Sequence, residues 1–288
     1  MEIQRTKILD IPIDITTQNN ALDHILQFAQ DKRKPKLVVT PYASFWLWAE
    51  RNSEFKQALL KSDLSLADGI GVLAAAKFSD YQYHPNFFIR GFEILSRGLK
   101  IGAAIITRNL EKKGAFERVT GVDLVESLFS KAQESALKIY FLGGWSDAQA
   151  SLRARLQNEY PKLQFEMDVG STNVRSDVGQ RELEAAVTRI NAYKPDILLV
   201  AFGPPFQETW AHTHLNELRV SVVMCVGATF DLLSGKLKRA PKFVQKSGLE
   251  WFWRFLTQPS RVGRILAAFP FFPVLVAWET LKSSRKVV

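Results

Sequence analysis

The stretch Asp196–Asp231, DILLVAFGPPFQETWAHTHLNELRVSVVMCVGATFD, decides the fold. Two apolar runs, Ile197–Phe202 and Val220–Val226, end at Gly203 and Gly227, and the segment between them reads as a helix. Short apolar runs alternating with helices indicate buried strands of a parallel sheet. In an open sheet of that kind, ligands sit beyond the carboxyl ends of the strands, in the loops that follow. Here those loops offer Gln207, Glu208 and Asp231, and a basic, aromatic segment with Arg254, Arg261 and Arg264 follows. The expected site is polar and receptive to anions.

Upstream, the same rhythm repeats. Lys7–Ile15 reads as a first strand, and Thr16 or Thr17 caps a helix carrying Leu22, Ile25, Leu26 and Ala29. Leu37–Thr40 is a short buried strand, followed by the helical ASFWLWAERN, a helix over Glu54–Lys61 and the strand Leu64–Ala67. The segment 78–117 interrupts the alternation: it is apolar yet studded with Arg90, Arg97, Lys100 and Arg108. Two readings stand side by side, an amphipathic cationic insertion that touches membrane and a helical hairpin against the domain. Beyond Gly121 come a helix, the strand and turn LKIYFLGG, a helix capped by Ser146 or Asp147, the strand Leu163–Asp168 and a helix over Asp177–Tyr193. The expected division is an α/β domain over 1–240 and a basic, aromatic C-terminal appendage over 241–288.

Bulk properties narrow the partner. The 288 residues are 47% hydrophobic, enough for a sizeable core, and carry a formal net charge of +9. From Gly235 onward eleven Lys or Arg face only Glu250 and Glu279, an excess of nine that equals the whole net charge. An anionic partner therefore meets the C-terminal end. Nucleic acid would want aromatics interleaved along an open groove, whereas Phe271, Phe272 and Trp278 lie in one apolar run. That run, Ile265–Trp278, is broken by Pro270 and Pro273 and is shorter than the roughly 20 residues a spanning helix needs. It is expected to lie in the membrane interface. MEIQRTKILD lacks the apolar core of a signal peptide, so a cytosolic protein is expected. The single cysteine, Cys225, sits in an apolar strand and reads as packing.

Several residues carry candidate chemistry beside an ordinary role. FLGGWSD, with Gly143 and Gly144, could present backbone N–H groups to a phosphate, and Glu166 and Asp168 stand where a ribose-binding acid would. The third glycine of a dinucleotide fingerprint is missing, and a plain strand–helix turn weighs more. Asp68 in LADGIG is a general-base candidate, but on these residues alone helix capping is favoured. Glu208 reads as a dipole partner in a first helical turn, and Gln207 as a hydrogen-bonding group for phosphate or sugar. Asp231 balances between ribose ligand and helix start. Arg261 and Arg264 share a helix face after Pro259. With Arg254 they could neutralise a diphosphate without metal. Four histidines give no metal-ligand spacing, and no DxD carboxylate pair stands beside a strand end.

Taken in order, VVT (38–40), ADGIG (67–71), ERVTGVDL (117–124), YFLGG (140–144), KPDILLVAFGPPFQE (194–208), VGATFDLLSGKLKRAP (226–241) and GLEWFWRFLTQPSR (248–261) resemble the WecG/TagA/CpsF glycosyltransferases. The resemblance implies a Rossmann-like parallel sheet with helices on both faces and a C-terminal helical, membrane-associating appendage. It implies inverting transfer of an N-acetylmannosamine-type sugar from UDP to a polyprenyl-diphosphate-linked N-acetylglucosamine, with no cofactor or metal. The expected location is the inner face of the cell membrane, peripherally bound to anionic lipid. Asp68 matches the family's proposed base and Thr40 the neighbouring motif. Gln207 lies near the donor and Asp231 near the nucleoside, while Arg254, Arg261 and Arg264 match the arginines proposed to close over the diphosphate. Two positions depart from the pattern: Tyr42 replaces an asparagine, which reshapes the sugar or acceptor pocket, and Ala67 replaces a proline. A nucleotide-dependent oxidoreductase and a non-enzymatic basic membrane adaptor are the rival readings. Oligomeric state stays open, a homo-oligomer included.

Overall fold

A computed structural model describes residues 3–32, 34–107, 118–237, 240–241, 244, 253, 263 and 267–282. The chain opens with an antiparallel hairpin, β1 (Gln4–Ile8) and β2 (Ile11–Ile15), rather than one strand over Lys7–Ile15. Its turn residues Leu9 and Asp10 both take positive φ (48° and 69°), the backbone of a two-residue hairpin loop. No glycine or asparagine marks that loop, so the sequence hides it. Asp14 ties the hairpin to the body: its carboxylate accepts both a fork from Arg5 (2.7 Å each) and the Ser65 amide (2.7 Å).

Six strands form the parallel sheet: β3 (Lys36–Val39), β4 (Leu64–Ser65), β5 (Lys138–Gly143), β6 (Gln164–Asp168), β7 (Ile197–Ala201) and β8 (Val222–Cys225). Their order is β4-β3-β8-β7-β5-β6. Alternate side chains feed two cores. Leu198, Val200, Val223 and Cys225 join one, and Ile197, Leu199, Val222 and Met224 the other, as period two demands of a sheet buried on both faces.

The first core is covered by α2 (Ser44–Ala49), α3 (Ser53–Leu60), α4 (Ile70–Ser79), α8 (Asp177–Tyr193) and α9 (Phe206–His214). The second is covered by α1 (Gln18–Gln30), α6 (Gly121–Glu134), α7 (Ser146–Glu159) and α10 (Thr229–Leu233). Capping side chains start several of these helices: Thr17 accepts from the Asn20 amide, Asn52 from Phe55 and Ser176 from Gly179. For α7 the cap position is Trp145, not Ser146 or Asp147.

Connections leave β5 and β7 in opposite directions. From β5 the chain runs through α7 to β6 on one side; from β7 it runs through α9 to β8 on the other. The loops therefore part between β5 and β7, the kind of crevice where α/β sheets hold ligands.

Two further described helices pack on α4. The described part of segment 78–117 is one long helix, α5 (Phe87–Ile106), and Phe78 belongs to α4. A hairpin is not formed among the described residues. Helix α11 (Phe272–Lys282) packs on α2, α4 and α5. Its Phe272 is fully buried with the ring 4.8 Å from that of Trp46, whose indole N–H donates to Ile8 O (2.7 Å). Val276 is buried beside it. The apolar run Ile265–Trp278 is thus not wholly an interfacial segment. Its Pro-broken length was too short to reveal that one helical face belongs to the core.

Candidate active site

The carboxyl ends of the parallel strands gather most of the residues singled out by the sequence. Thr40 follows β3, Asp68 follows β4, Gly143 and Gly144 close β5, Gln207 follows β7, and Asp231 follows β8. Loops at this end are stitched together. The Asp68 amide donates to Pro41 O (3.0 Å), joining the loop after β4 to that after β3. Thr40 Oγ1 donates to Cys225 O (3.2 Å), joining β3 to β8. A Cβ on Gly121 would stand 3.7 Å from both Thr40 Oγ1 and Thr229 Oγ1. Thr40, the start of α6 and the start of α10, which carries Asp231, therefore meet at one place. Tyr42 is half-buried, its ring 4.9 Å from Phe45 and 5.8 Å from Trp48, part of an aromatic cluster at the loop after β3.

Gly143 and Gly144 both take positive φ, and each is pinned by a close neighbour. A Cβ on Gly143 would come within 2.9 Å of Ala201 C, and one on Gly144 within 3.2 Å of the Phe230 ring. These glycines let the β5 loop nest against β7 and α10. Beyond them, Asp147 in the first turn of α7 is held by Lys236 Nζ (2.8 Å), which also lies 5.4 Å from the ring centre of exposed Trp145. The acids once placed at a ribose are engaged elsewhere. Asp168 accepts from Tyr140 Oη (3.0 Å), Arg189 Nε (2.8 Å) and the Gly170 amide (2.7 Å), and Glu166 pairs with Arg153 (2.8 Å). The strand-end acid of a dinucleotide site is not provided at β6.

Gln207 is buried, and its amide spans two loops. Its Oε1 accepts from the Gly203 amide (3.0 Å) and the Gly227 amide (3.1 Å), and its Nε2 donates to Glu208 Oε1 (2.7 Å). One side chain thus locks the glycine turns after β7 and β8 to each other. Glu208, read from sequence as a surface dipole partner, is fully buried and holds that amide in register. The first turn of α9 faces inward, which the helix start alone could not reveal. Burial pushes the Glu208 carboxyl up to about 7, with the Gln207 hydrogen bond opposing, and its Oε2 has no hydrogen-bond partner among the described residues. The Cys225 thiol nearby is pushed up by burial and by Glu208.

A pH signature follows. Glu208 is ordinarily ionised above about 4.5 when unfolded, but in the fold only above about 7. Stability should fall as pH rises through that window, because the unfolded chain ionises first. The full cost, about 3 kcal/mol for a shift of this size, persists above it. Glu208→Gln keeps an acceptor for Gln207 and removes the titration. Its denaturation midpoint should be nearly flat between pH 5 and 8 where the parent's declines; parallel curves would exclude Glu208 as the cause.

Arg254, Arg261 and Arg264 lie outside the described residues. The remaining expected residues lie in or just after the loops at the carboxyl ends of the strands. Residues 6–105 and 94–286 match the Glycosyl transferase WecG/TagA/CpsF family. The chain belongs to this family. It is also 26% identical over 284 residues to the N-acetylglucosaminyldiphosphoundecaprenol N-acetyl-beta-D-mannosaminyltransferase of Staphylococcus aureus strain NCTC 8325 / PS 47, across 98% of this chain and 94% of that protein. The same-named proteins of strains COL and MRSA252 match to the same extent. The family assignment makes the chain a glycosyltransferase, and its loop cluster at the strand ends is where a sugar-transfer site belongs in such a sheet.

Proposed function

We propose that this protein transfers an N-acetylmannosamine-type sugar from UDP to the N-acetylglucosamine of a polyprenyl diphosphate, with inversion and without a metal. The observation that carries the reading is the convergence of Asp68, Thr40 and the Asp231-bearing helix at one sheet end, in a chain alignable nearly throughout with transferases named for that sugar and acceptor.

In the proposed step, the acceptor hydroxyl oxygen attacks the anomeric carbon from the face opposite UDP, and its proton passes to the Asp68 carboxylate. The bond from that carbon to the β-phosphate oxygen breaks, and its electron pair leaves with UDP. Arg254, Arg261 and Arg264 neutralise the departing diphosphate, the task a divalent cation performs elsewhere. Asp231 is assigned to the nucleoside, the Gly143–Gly144 turn to the donor, and Thr40 and Tyr42 to the sugar and acceptor pocket. Gln207 serves by fixing the two glycine turns between which the donor lies. The acceptor is a membrane lipid, so the protein works bound peripherally at an anionic bilayer face.

A screen of UDP-sugars against a short-chain lipid-diphosphate N-acetylglucosamine, with chelator present, tests this. UDP-N-acetylmannosamine should be the fastest donor, with chelator changing the rate less than about twofold and the product anomer opposite to the donor's. A different UDP-hexosamine used faster would displace the sugar assignment. Loss of turnover with chelator, restored by a divalent cation, would displace the metal-free step.

A further inference from the structure

Helix α5 is turned inside out. Among the described residues, its Phe87, Phe88, Ile89, Phe92, Leu95 and Leu99 are exposed. Phe88 (83% exposed), Phe92 (74%), Leu95 and Leu99 recur at helical spacing and form one outward stripe, roughly 17 Å long at 1.5 Å per residue. The two arginines of α5 point the other way. Arg90 is buried, and Arg97 donates to Lys77 O (2.8 Å) with its guanidinium 4.2 Å from the centre of the Tyr81 ring. Ile94, Ile101 and Ile105 pack on the core from that inner side. A helix facing only water would present the reverse pattern.

The stripe continues onto a second helix. Helix α11 lies against α5, with Leu281 Cδ1 3.9 Å from where a Cβ on Gly91 would stand. While Phe272 and Val276 enter the core, Val274 and Trp278 on the opposite face are exposed, as are Phe269 and Phe271 just before. Two helices distant in sequence thus pack on each other, and each carries exposed apolar, aromatic side chains. An exposed apolar area of this extent marks an interaction surface.

We propose that the outward faces of α5 and α11 form the seat of this protein on a bilayer, with α5 lying flat at the boundary between headgroups and acyl chains. The proposal rests on the lipid-linked acceptor of the preceding reading. Charge selects this occupant over a second copy of the chain. α11 belongs to the segment from residue 235 that carries the entire +9 excess, and α5 adds the exposed Lys100. Anionic lipid attracts such a face, whereas two copies of it repel. No described helix is long and apolar enough to cross a membrane, which suits a helix lying in the plane. The geometry also serves transfer: α4 starts at Ile70, two residues after Asp68, and packs on α5, so the seat is linked directly to the proposed base.

The test uses the full chain and vesicles of phosphatidylcholine with or without phosphatidylglycerol. The parent should float with the anionic vesicles. The quadruple variant F88S/F92S/L95S/L99S, changed only at exposed positions, should bind them at least tenfold more weakly, and F92S alone about threefold. Transfer to a long-chain acceptor embedded in vesicles should fall in parallel, while transfer to a soluble short-chain acceptor stays within about twofold. Unchanged vesicle binding by the quadruple variant overturns the proposal. So does a parent that fails to float, or a variant that turns from dimer to monomer on sedimentation yet still floats, which would mark the stripe as a contact between copies. A parent inactive on the short-chain acceptor strikes the transfer reading instead, and the flotation comparison still decides the surface.

Discussion

Asp68→Asn is expected to lower turnover by about 10²- to 10⁴-fold, the usual worth of a positioned general base, with UDP affinity within about twofold of the parent. The substitution isolates the proton acceptor. Asparagine keeps the size of the side chain and can occupy the same turn, whose backbone is fixed by the Asp68 amide on Pro41 O and by Gly69 at φ 126°. Neither feature depends on the carboxylate. Turnover on a short-chain acceptor and calorimetric UDP binding make the pair of measurements needed. Full turnover with intact binding would remove Asp68 from proton transfer; the helix-capping role its sequence context favoured is not one the structure gives it, since the cap position of α4 is Gly69 and no side chain bonds there.

The second large effect is expected at the arginines. Arg254→Ala, Arg261→Ala and Arg264→Ala should each cost about 10²- to 10³-fold in kcat, the range for deleting one preorganised donor from a developing negative charge. The triple variant should fall well short of the product of the singles, since the three act on one leaving group. Lysine at each position should recover only part of the loss, because an ammonium carries the charge but not the planar fork that grips phosphate oxygens. A donor with a better leaving group should narrow every deficit. Unchanged kinetics in all three singles would dismiss the arginines from the reaction.

Much of this architecture was legible in the residues. Ile197–Ala201 and Val222–Cys225 are short, apolar and closed by glycines, and the sheet places them side by side as β7 and β8. Asp68, Thr40 and Asp231 were legible as strand-end residues, which a parallel sheet brings to one edge whatever their separation in sequence. Direction was harder to read. Gln207 and Glu208 stand where first-turn polar groups normally meet solvent, and only the packing of α9 on β8 turns them inward. The arginines of α5 suggested a cationic outer face, yet Arg90 and Arg97 turn in and the phenylalanines turn out. Composition and periodicity give the angular spread of such a helix but not its rotation, which is set by neighbours far along the chain. The hairpin turn at Leu9 and Asp10 escaped for a local reason, because Leu9 does not favour positive φ and no glycine accompanies Asp10 there.

The seating of Phe272 on Trp46 has a bearing on how the molecule is made. Trp46 lies in the second helix of the chain and Phe272 in the last described one, so the partners are synthesised far apart in time. Domains generally begin folding from the N-terminal side as the chain emerges. The eight described strands, Asp68 and Asp231 precede Phe272, but the socket beside Trp46 stays open until α11 arrives. A chain clipped before that helix would keep much of the loop cluster and still present an unfilled aromatic hole to chaperones and proteases. Completion of the core thus waits on a contact between segments made early and late in synthesis.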